Sequence, residues 1–352
     1  NPCTVGDTCA AKACQPGKAK VCDDANPCTV DYCDAVAGCK ALAVPIGCDD
    51  GSACTDVDVC KDAVCKGQNI DCDDGNPCTD DGCAPAKGCS HAAVADKTAC
   101  GGVGICVAGG CSIGSAINPA PSCLAIAQAF DKIGVVAKSD VYTLDPGGVG
   151  GEDPFTAHCE MAADGGGWTL ALKVDGGKNT FLYDDALWTS KNALTPEKSA
   201  FDKTEAKLPS FWRVGFSTMR IGFEMGGVQR WIVIDAKAAS LYDVLVTDTY
   251  AAFTTAAGRS AWKSLVPGAT LQNNCNREGF SNRVNGSHAA IRIGLIANEQ
   301  NDCGTPDSRI GFGGRSNVCG IDPNMAVGNA AGCGGDNGDK SIKATFGWIY
   351  VR

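Results

Sequence analysis

The sequence predicts a chain of two unlike parts. A disulfide-rich repeat stalk of low secondary-structure content comes first. An α+β domain with mostly antiparallel sheet and a long loop-rich region follows. Three observations carry this reading. Residues 1–113 hold eighteen of the twenty-four cysteines and one aromatic residue, Tyr32. All six Trp and all eleven Phe lie beyond residue 114. A cysteine motif repeats through the first part and stops at Cys111. A segment with so few large apolar side chains cannot build a core, so cross-links must hold it. We therefore place the stalk at 1–113, a Pro-bearing linker at 114–121 (Ser115-Ala-Ile-Asn-Pro-Ala-Pro121) and the globular domain at 122–352.

The repeat defines the stalk. Cys22-Asp-Asp-Ala-Asn-Pro-Cys28-Thr-Val-Asp31-Tyr-Cys33 recurs as Cys48-Asp-Asp-Gly-Ser-Ala-Cys54-Thr-Asp-Val-Asp58-Val-Cys60 and as Cys72-Asp-Asp-Gly-Asn-Pro-Cys78-Thr-Asp-Asp81-Gly-Cys83. A degenerate last unit is Cys100, Cys106 and Cys111. Repeat starts lie 26, 24 and 28 residues apart. Asn1-Pro-Cys-Thr-Val5 repeats Asn26-Pro-Cys-Thr-Val30, so the expectation is a piece of a longer secreted precursor. The competing reading of dense cysteine is zinc. Zinc ribbons need close Cys-x-x-Cys pairs, and none occurs. Disulfides persist outside the cytosol, which points to a secreted or cell-surface protein. Connectivity within a unit is not legible from spacing. The Asp-Asp-Gly-Asn turns offer the oxygen donors that Ca²⁺ takes, yet the same residues form turns without any ion. Both readings stay open here.

These units resemble the CTDC-type repeat of slime-mould extracellular matrix proteins, also seen in large bacterial surface proteins. The resemblance implies a structural setting outside the cell and no particular ligand.

Charge excludes some partners. The chain carries a net charge of −10. Residues 1–113 contribute sixteen Asp, no Glu and eight Lys. Nucleic acid and anionic membrane surfaces are poor partners for such a chain. No apolar run approaches the ~18–20 residues of a spanning helix, so no membrane span is expected.

The globular part opens with Ser122 as the N-cap of a short amphipathic helix bearing Leu124, Ile126, Ala127 and Phe130. Val141-Tyr-Thr-Leu144 reads as a strand, and Gly147–Pro154 as a loop. A half-cystine, Cys159, precedes three successive glycines at 165–167. Trp168–Val174 then alternates as a half-buried strand does. A unit of this size could be closed by Cys123–Cys159. Thr180–Tyr183 and Leu187-Trp188 mark packed segments. Lys203–Leu208 is a helix candidate stopped by Pro209. Met219–Phe223, Trp231–Asp235 and Tyr242–Thr247 read as strands, and Phe253, Trp262 and Leu265 as a helix-loop segment. Ile291–Ile296 and Thr345–Tyr350 are the last strands. Between them, residues 297–343 read as a long loop-rich insert, which in a compact domain is usually functional.

That insert gathers oxygen donors. Asn298, Glu299, Asn301, Asp302 and Asp307 surround Cys303; Asp322, Asn324, Asn329, Asp336, Asn337 and Asp339 follow. Hard oxygens on irregular backbone are what a Ca²⁺ site of six to eight ligands uses. The plain alternative is a solvated polar loop.

Val141-Tyr-Thr-Leu-Asp-Pro146, Pro154-Phe155, His158-Cys-Glu-Met161, Asp164-Gly-Gly-Gly-Trp168-Thr and the final Phe346-Gly-Trp348-Ile-Tyr350-Val-Arg352 resemble the fibrinogen C-terminal-like fold. The resemblance is to its intelectin (X-type lectin) branch and covers about two thirds of the chain. It implies that Asn298 and Glu299 help to ligate calcium, that Cys303 pairs with Cys319, and that Asp336 after Cys333 is a further ligand. Cys275 is then left to pair with Cys333. It also shows departures. Asn317 stands where that branch uses a calcium-binding histidine, its glutamate has no counterpart near Gly328, and its paired aromatic residues are missing. The expected metal set is Asn298, Glu299, Asp302, Asp336 and Asp339 for Ca²⁺, with Asn317, Asp322, Asn324 and Asn329 as candidate ligand contacts.

Enzyme chemistry finds little footing. The globular part has only His158 and His288, no Gly-x-Ser-x-Gly turn and no His-Glu-x-x-His helix. Asn285-Gly-Ser287 is an acceptor pattern for N-glycosylation. The expected function is a calcium-dependent, lectin-like adhesion protein that binds surface polysaccharide or glycoprotein glycans. The alternative is a structural subunit of an extracellular filament or matrix, whose head binds further copies of the chain.

Overall fold

The computed structural model describes residues 1–315 and 324–352. The chain divides into two compact units. One is Asn1–Thr98 with Cys106–Cys111; the other is Ala99–Ile105 with Ser112–Arg352. No described helix is long and apolar enough to cross a membrane.

The first unit is a series of small antiparallel hairpins. Thr8–Ala10 pairs with Ala13–Gln15, Thr29–Asp34 with Gly38–Ala43, Thr55–Lys61 with Val64–Asn69, and Thr79–Ala84 with Gly88–Ala93. Each hairpin sets the third cysteine of a unit opposite the fourth, as in Cys33 opposite Cys39 and Cys83 opposite Cys89. In the three complete units these facing cysteines do not bond to each other. The fourth bonds to the first of its own unit: Cys22–Cys39, Cys48–Cys65 and Cys72–Cys89, each spanning 17 residues. The third bonds to the second cysteine of the unit before: Cys3–Cys33, Cys28–Cys60, Cys54–Cys83 and Cys78–Cys106. In the first, incomplete unit the facing pair Cys9–Cys14 does bond. Hydrogen bonds run in the same direction. The Asn26 amide donates to the Ala63 carbonyl at 2.9 Å and the Asn76 amide to the Gly109 carbonyl at 2.8 Å.

The aspartates of the motif shape its turns. The Asp24 N–H donates to Asp31, while Asp24 Oδ1 accepts from the Asn26 N–H and the Thr29 hydroxyl. Asp50 and Asp74 repeat the arrangement with Ser52 and Thr55, and with Asn76 and Thr79. The backbone N–H groups of Asn26 and Ser52 lower the carboxyl pKa of Asp24 and Asp50. These are Asx turns, so the oxygens counted as possible calcium ligands in the stalk bond to the chain itself.

The second unit is built on two antiparallel sheets, as the α+β expectation requires. We number its strands from Asp140. The seven-stranded sheet holds β1 (Asp140–Leu144), β2 (Phe155–Glu160), β3 (Trp168–Asp175), β4 (Ala206–Lys207), β5 (Phe216–Met225), β6 (Val228–Ala238) and β13 (Phe346–Val351). Its order is β1-β2-β3-β13-β5-β6, with β4 beside β3. The six-stranded sheet runs β7 (Ala251–Ala252), β8 (Asn274–Asn282), β9 (Ala290–Asn298), β10 (Ser308–Arg315), β11 (Met325–Ala331) and β12 (Lys340–Lys343) in chain order.

Side-chain alternation divides the strands between two cores. On β13, Ile349 and Val351 enter the main core with Ile221 and Phe223 of β5 and with Phe280, Ile293, Leu295, Ile310, Phe312 and Val327 of the other sheet. Phe346, Trp348 and Tyr350 enter a second core with Trp168, Leu170 and the helix α1 (Cys123–Lys132). On β3 a bulge between Leu170 and Leu172 changes the face. Trp168 and Leu170 serve the second core, Leu172 and Val174 the main one. The Ser122 hydroxyl caps α1 by accepting the Ala125 N–H at 3.2 Å, and Cys123–Cys159 ties the helix to β2, as expected.

Three local expectations change. Residues 242–245 belong to a short helix, α2 (Leu241–Leu245), not a strand, because Ser240 accepts the Asp243 N–H and starts a helical turn. Residues 206–207 of the proposed helix 203–208 form β4, whose edge pairing with β3 outweighs local helix propensity. The insert 297–343 is not loop throughout, since β10, β11 and β12 lie in it. The segment 114–121 packs on its own unit: Gly114 accepts from the Thr143 N–H, and Ala120 bonds Thr143 and Asp145.

A row of glycines crosses the six-stranded sheet. Gly279, Gly294, Gly311 and Gly328 face one another on β8 to β11. Their φ values are +158°, +159°, +144° and +147°. A Cβ on Gly311 would meet the Ile293 carbonyl oxygen at 2.1 Å, and one on Gly294 the Ile310 oxygen at 2.2 Å. Gly311→Ala is therefore expected to lower stability by about 3 kcal/mol. Urea unfolding measures this, and an unchanged midpoint would contradict the close approach.

Candidate functional site

The site forms where β9 ends. Asn298 is the last residue of β9 and is fully buried. The loop that follows returns to β10 through Pro306 and Asp307, both buried. Cys275, at the start of β8, bonds to Cys303 and pins the middle of this loop to the sheet. The expected Cys303–Cys319 and Cys275–Cys333 bridges are thus replaced. Asn274 and Asn298 are paired across β8 and β9, which brings Cys275 beside the loop that carries Cys303. Cys333 is also disulfide-bonded; Cys319 lies outside the described residues.

Gln272 organises the site from below. It is fully buried. Its Nε2 donates to Glu299 Oε2 at 2.5 Å, to Asp307 Oδ2 at 3.4 Å and to the Cys333 carbonyl at 3.1 Å. Its Oε1 accepts the Asp307 N–H at 3.1 Å. Asn274 donates to the Glu299 carbonyl at 2.5 Å, and the Gln300 amide to Glu299 Oε1. Asn298 Nδ2 donates to the Asp302 carbonyl at 3.1 Å.

Two buried oxygens in this set lack a hydrogen-bond partner: Asn298 Oδ1 and Asp307 Oδ1. A buried acceptor without a donor costs about 1–3 kcal/mol. The Asp307 and Glu299 carboxylates also lie within hydrogen-bonding reach of each other, and burial with that neighbour pushes the Asp307 carboxyl pKa up. Two carboxylates within reach of each other, with a buried amide oxygen at the adjoining end of β9, leave acceptor capacity of the kind a hard divalent cation such as Ca²⁺ takes. Asn298, Glu299 and Asp307 are the residues that fit it. Asp302 contributes its backbone; its Oδ1 accepts the Gly304 N–H at 2.6 Å.

The remaining expected residues fall elsewhere. Asp336 accepts from Arg259 at 2.7 Å, Lys263 at 2.5 Å and the Leu271 N–H at 3.1 Å. Partial burial opposes its charge, but the two cations outweigh burial and hold its carboxyl at about 2. Asp339 Oδ1 accepts the N–H groups of Gly334 and Gly335 at 2.9 and 2.8 Å and closes their turn. Cations and a backbone donor thus engage both Asp336 oxygens, and two backbone donors engage Asp339 Oδ1. Asn329, expected as a ligand contact, lies inside the sheet. It is fully buried, with its amide held by the Thr270 N–H and by the Thr270 and Arg309 carbonyls. Asn324 is exposed and lines a cavity of about 260 Å³ with Asn179, Tyr183, Asp184 and Arg315. Asn317 and Asp322 lie outside the described residues.

Sequence reasoning placed Asp307 in the cluster but did not select it, and it missed Gln272. A neutral glutamine in Leu271-Gln-Asn-Asn carries no mark of a hub. His158 is packed, with Nδ1 at 3.0 Å from the Tyr350 hydroxyl.

Comparison with known proteins adds the following. Residues 21–43 and 71–94 match the family model described as the Dictyostelium (slime mold) repeat. The repeat resemblance is thereby borne out over those residues. No curated protein matches the chain. Among solved structures, the fibrinogen-like globe domain of human ANGPTL6 is similar at 16% identity, over 67% of this chain and 96% of that one, with a TM-score of 0.31.

The Asp336 cluster makes a pH-dependent contribution. Its folded pKa lies below the unfolded value near 4, so its stabilisation is complete above that value and is lost as pH falls toward 2. Asp336→Asn is expected to remove about 2 kcal/mol at neutral pH and to flatten the stability curve between pH 4 and 2. Denaturant titrations at a series of pH values test this; a variant that follows the parent curve would contradict it.

Proposed function

We infer that this chain is an extracellular adhesion or matrix protein whose head binds surface polysaccharide or glycoprotein glycans in a Ca²⁺-dependent way. The disulfide-dense repeats fit an extracellular protein. The observation that carries the calcium reading is the pair of unpartnered buried oxygens, Asn298 Oδ1 and Asp307 Oδ1, beside the Glu299 carboxylate. Asn298, Glu299 and Asp307 would hold the ion, which when bound supplies a Lewis-acidic point that accepts oxygen ligands. Glu299 is exposed while Asn298 and Asp307 are buried, so the set has an inner and an outer side. The outer side, at Glu299, is where sugar hydroxyls would reach it. The protein's part is to fix the inner oxygens, through Gln272 and Cys275–Cys303. The resemblance to the intelectin branch supports the same reading at Asn298 and Glu299. Single-site sugar binding is weak, and multiple heads would add avidity.

A second reading, assembly with further copies, is favoured by β6. It is an eleven-residue strand at the edge of its sheet, with Val228 53% and Val233 40% exposed. Edge strands of this length are templates for pairing.

Two measurements separate these readings. Thermal unfolding of the full chain with Ca²⁺ should rise by several degrees over the chelated state, since saturation at a hundred times Kd contributes about 2.7 kcal/mol. Asp307→Asn should abolish that rise. A glycan array probed with and without chelator should then show binding that is lost with the ion. A Ca²⁺-dependent rise without glycan binding would favour assembly; no rise at all would overturn the site.

A further inference from the structure

We propose that Asp74, Asp81 and His91 form a binding site for a divalent transition-metal ion such as Zn²⁺ on the last complete unit of the stalk, separate from the oxygen set at Asp307. The hairpin of Thr79–Ala84 and Gly88–Ala93 sets His91 directly opposite Asp81. Asp74 reaches the same place from the turn before the hairpin, where its N–H donates to Asp81 Oδ2 at 3.1 Å. One donor atom of each residue lies within 4.8 Å of the other two.

Each carboxylate divides its oxygens. Asp74 Oδ1 accepts the Asn76 N–H at 2.8 Å and the Thr79 hydroxyl at 3.0 Å, and Asp81 Oδ2 accepts the Asp74 N–H. These bonds hold both side chains in place. The remaining oxygens, Asp74 Oδ2 and Asp81 Oδ1, lie 3.5 and 2.7 Å from His91 Nδ1. Donors about 2.0–2.1 Å from a tetrahedral Zn²⁺ stand roughly 3.3 Å apart, so side-chain shifts of about half an ångström admit the ion. Without it a proton holds the place, and the hydrogen bond to Asp81 raises the His91 pKa.

The sister units show that the turn does not need the imidazole. Ala41 stands opposite Asp31 in the first complete unit. In the second, Gly67 takes this position, and its N–H donates to Asp50 Oδ2 at 3.3 Å. Both units form the same Asx turns with no side-chain nitrogen supplied from that position. The first unit also sets two cations nearby: Lys20 and Lys40 line a cavity of about 360 Å³ with Asp24, Asp31 and Ala41. The last complete unit has Ile70 and Ser90 at the corresponding positions, and five aspartates between residues 71 and 81. Its carboxylates thus lack the charge those lysines bring, and an imidazole stands where Ala41 leaves space. An imidazole with two carboxylates suits Zn²⁺, Cu²⁺ or Ni²⁺ better than Ca²⁺, which takes oxygen donors. All three side chains are at least partly exposed, so the ion can enter, and three protein ligands leave a position for water or for a donor from another molecule.

The test is calorimetric titration of the full chain, freed of metal, with ZnCl₂ at neutral pH. Binding is expected, and His91→Ala and Asp81→Asn should each weaken it by about tenfold or more. Alanine already occupies this position in the first unit, so the hairpin tolerates His91→Ala. Asp307→Asn should leave the Zn²⁺ curve unchanged, and titration with CaCl₂ should not distinguish the parent from His91→Ala. The imidazole resonances that disappear in His91→Ala should shift with Zn²⁺ in the parent. No Zn²⁺ binding, or binding that keeps its full strength in His91→Ala, would overturn the proposal. Binding lost in Asp307→Asn instead would place the ion in the head and overturn it equally.

Discussion

The bridge from the second cysteine of one unit to the third of the next substitutes for a core. A unit of about two dozen residues with almost no large apolar side chain buries too little surface to offset the entropy of ordering its chain. A disulfide confined to the unit would shrink the unfolded ensemble of that unit alone. A bridge between units also fixes their register, which otherwise depends on single hydrogen bonds such as that from Asn26 to Ala63. The loops closed by these bridges span 28 to 32 residues, against 17 for the bridges within units. In the chain-entropy model each such bridge contributes about 3 to 4 kcal/mol, the longer loops exceeding the shorter by roughly half a kcal/mol. The facing cysteines of each hairpin, adjacent in the sheet, are thereby committed in opposite directions along the array.

The head solves the same problem by ordinary burial, and its constraint is geometric. One strand, β13, feeds both cores by alternation, so β3 beside it must supply both as well. The bulge at Leu170–Leu172 does this by exchanging faces in mid-strand. On the other sheet the glycine row lets neighbouring backbones approach where any Cβ would strike a carbonyl oxygen. Asn298 closes β9 four residues after its glycine, and Asp307 immediately precedes β10, which meets β9 at the same row. The site's two buried residues are thus placed by paired sheet, while the exposed Glu299 sits on the loop that Cys275–Cys303 holds.

Much of this architecture was legible in the residues. Cysteine density and missing aromatics marked the stalk, Ser122 marked the helix, and apolar runs marked most long strands. Three kinds of feature were not. Disulfide partners depend on which hairpin lies against which, and spacing does not encode that; hence Cys275 meets Cys303. The segment at Tyr242 reads as strand by its β-branched and aromatic residues, yet one cap at Ser240 decides it. The strands of 308–343 are short and full of Gly, Asn and Ala, which by composition resemble loop. Arg220-Ile-Gly-Phe, Arg292-Ile-Gly-Leu and Arg309-Ile-Gly-Phe do repeat one pattern on three strands, and two of those glycines lie in the row. That repetition was the available signal.

The acidic residues separate by what their oxygens accept. Asp24, Asp50 and Asp74 lie in a motif that suggests an ion, but each takes backbone N–H and hydroxyl donors from its own turn. Asp336 and Asp339 are likewise engaged, one by Arg259 and Lys263 and the other by two backbone amides. Charge count alone ranks all of these with Asp307. The difference at Asp307 is that a buried oxygen has no donor while a second carboxylate stands beside it. Burial penalises the Asp307 carboxylate and the neighbouring Glu299 charge adds to that, a cost that a bound cation would offset on the proposed reading. It is this small cost, held in place by Gln272 and a disulfide, that sets Asp307 apart from the turn aspartates.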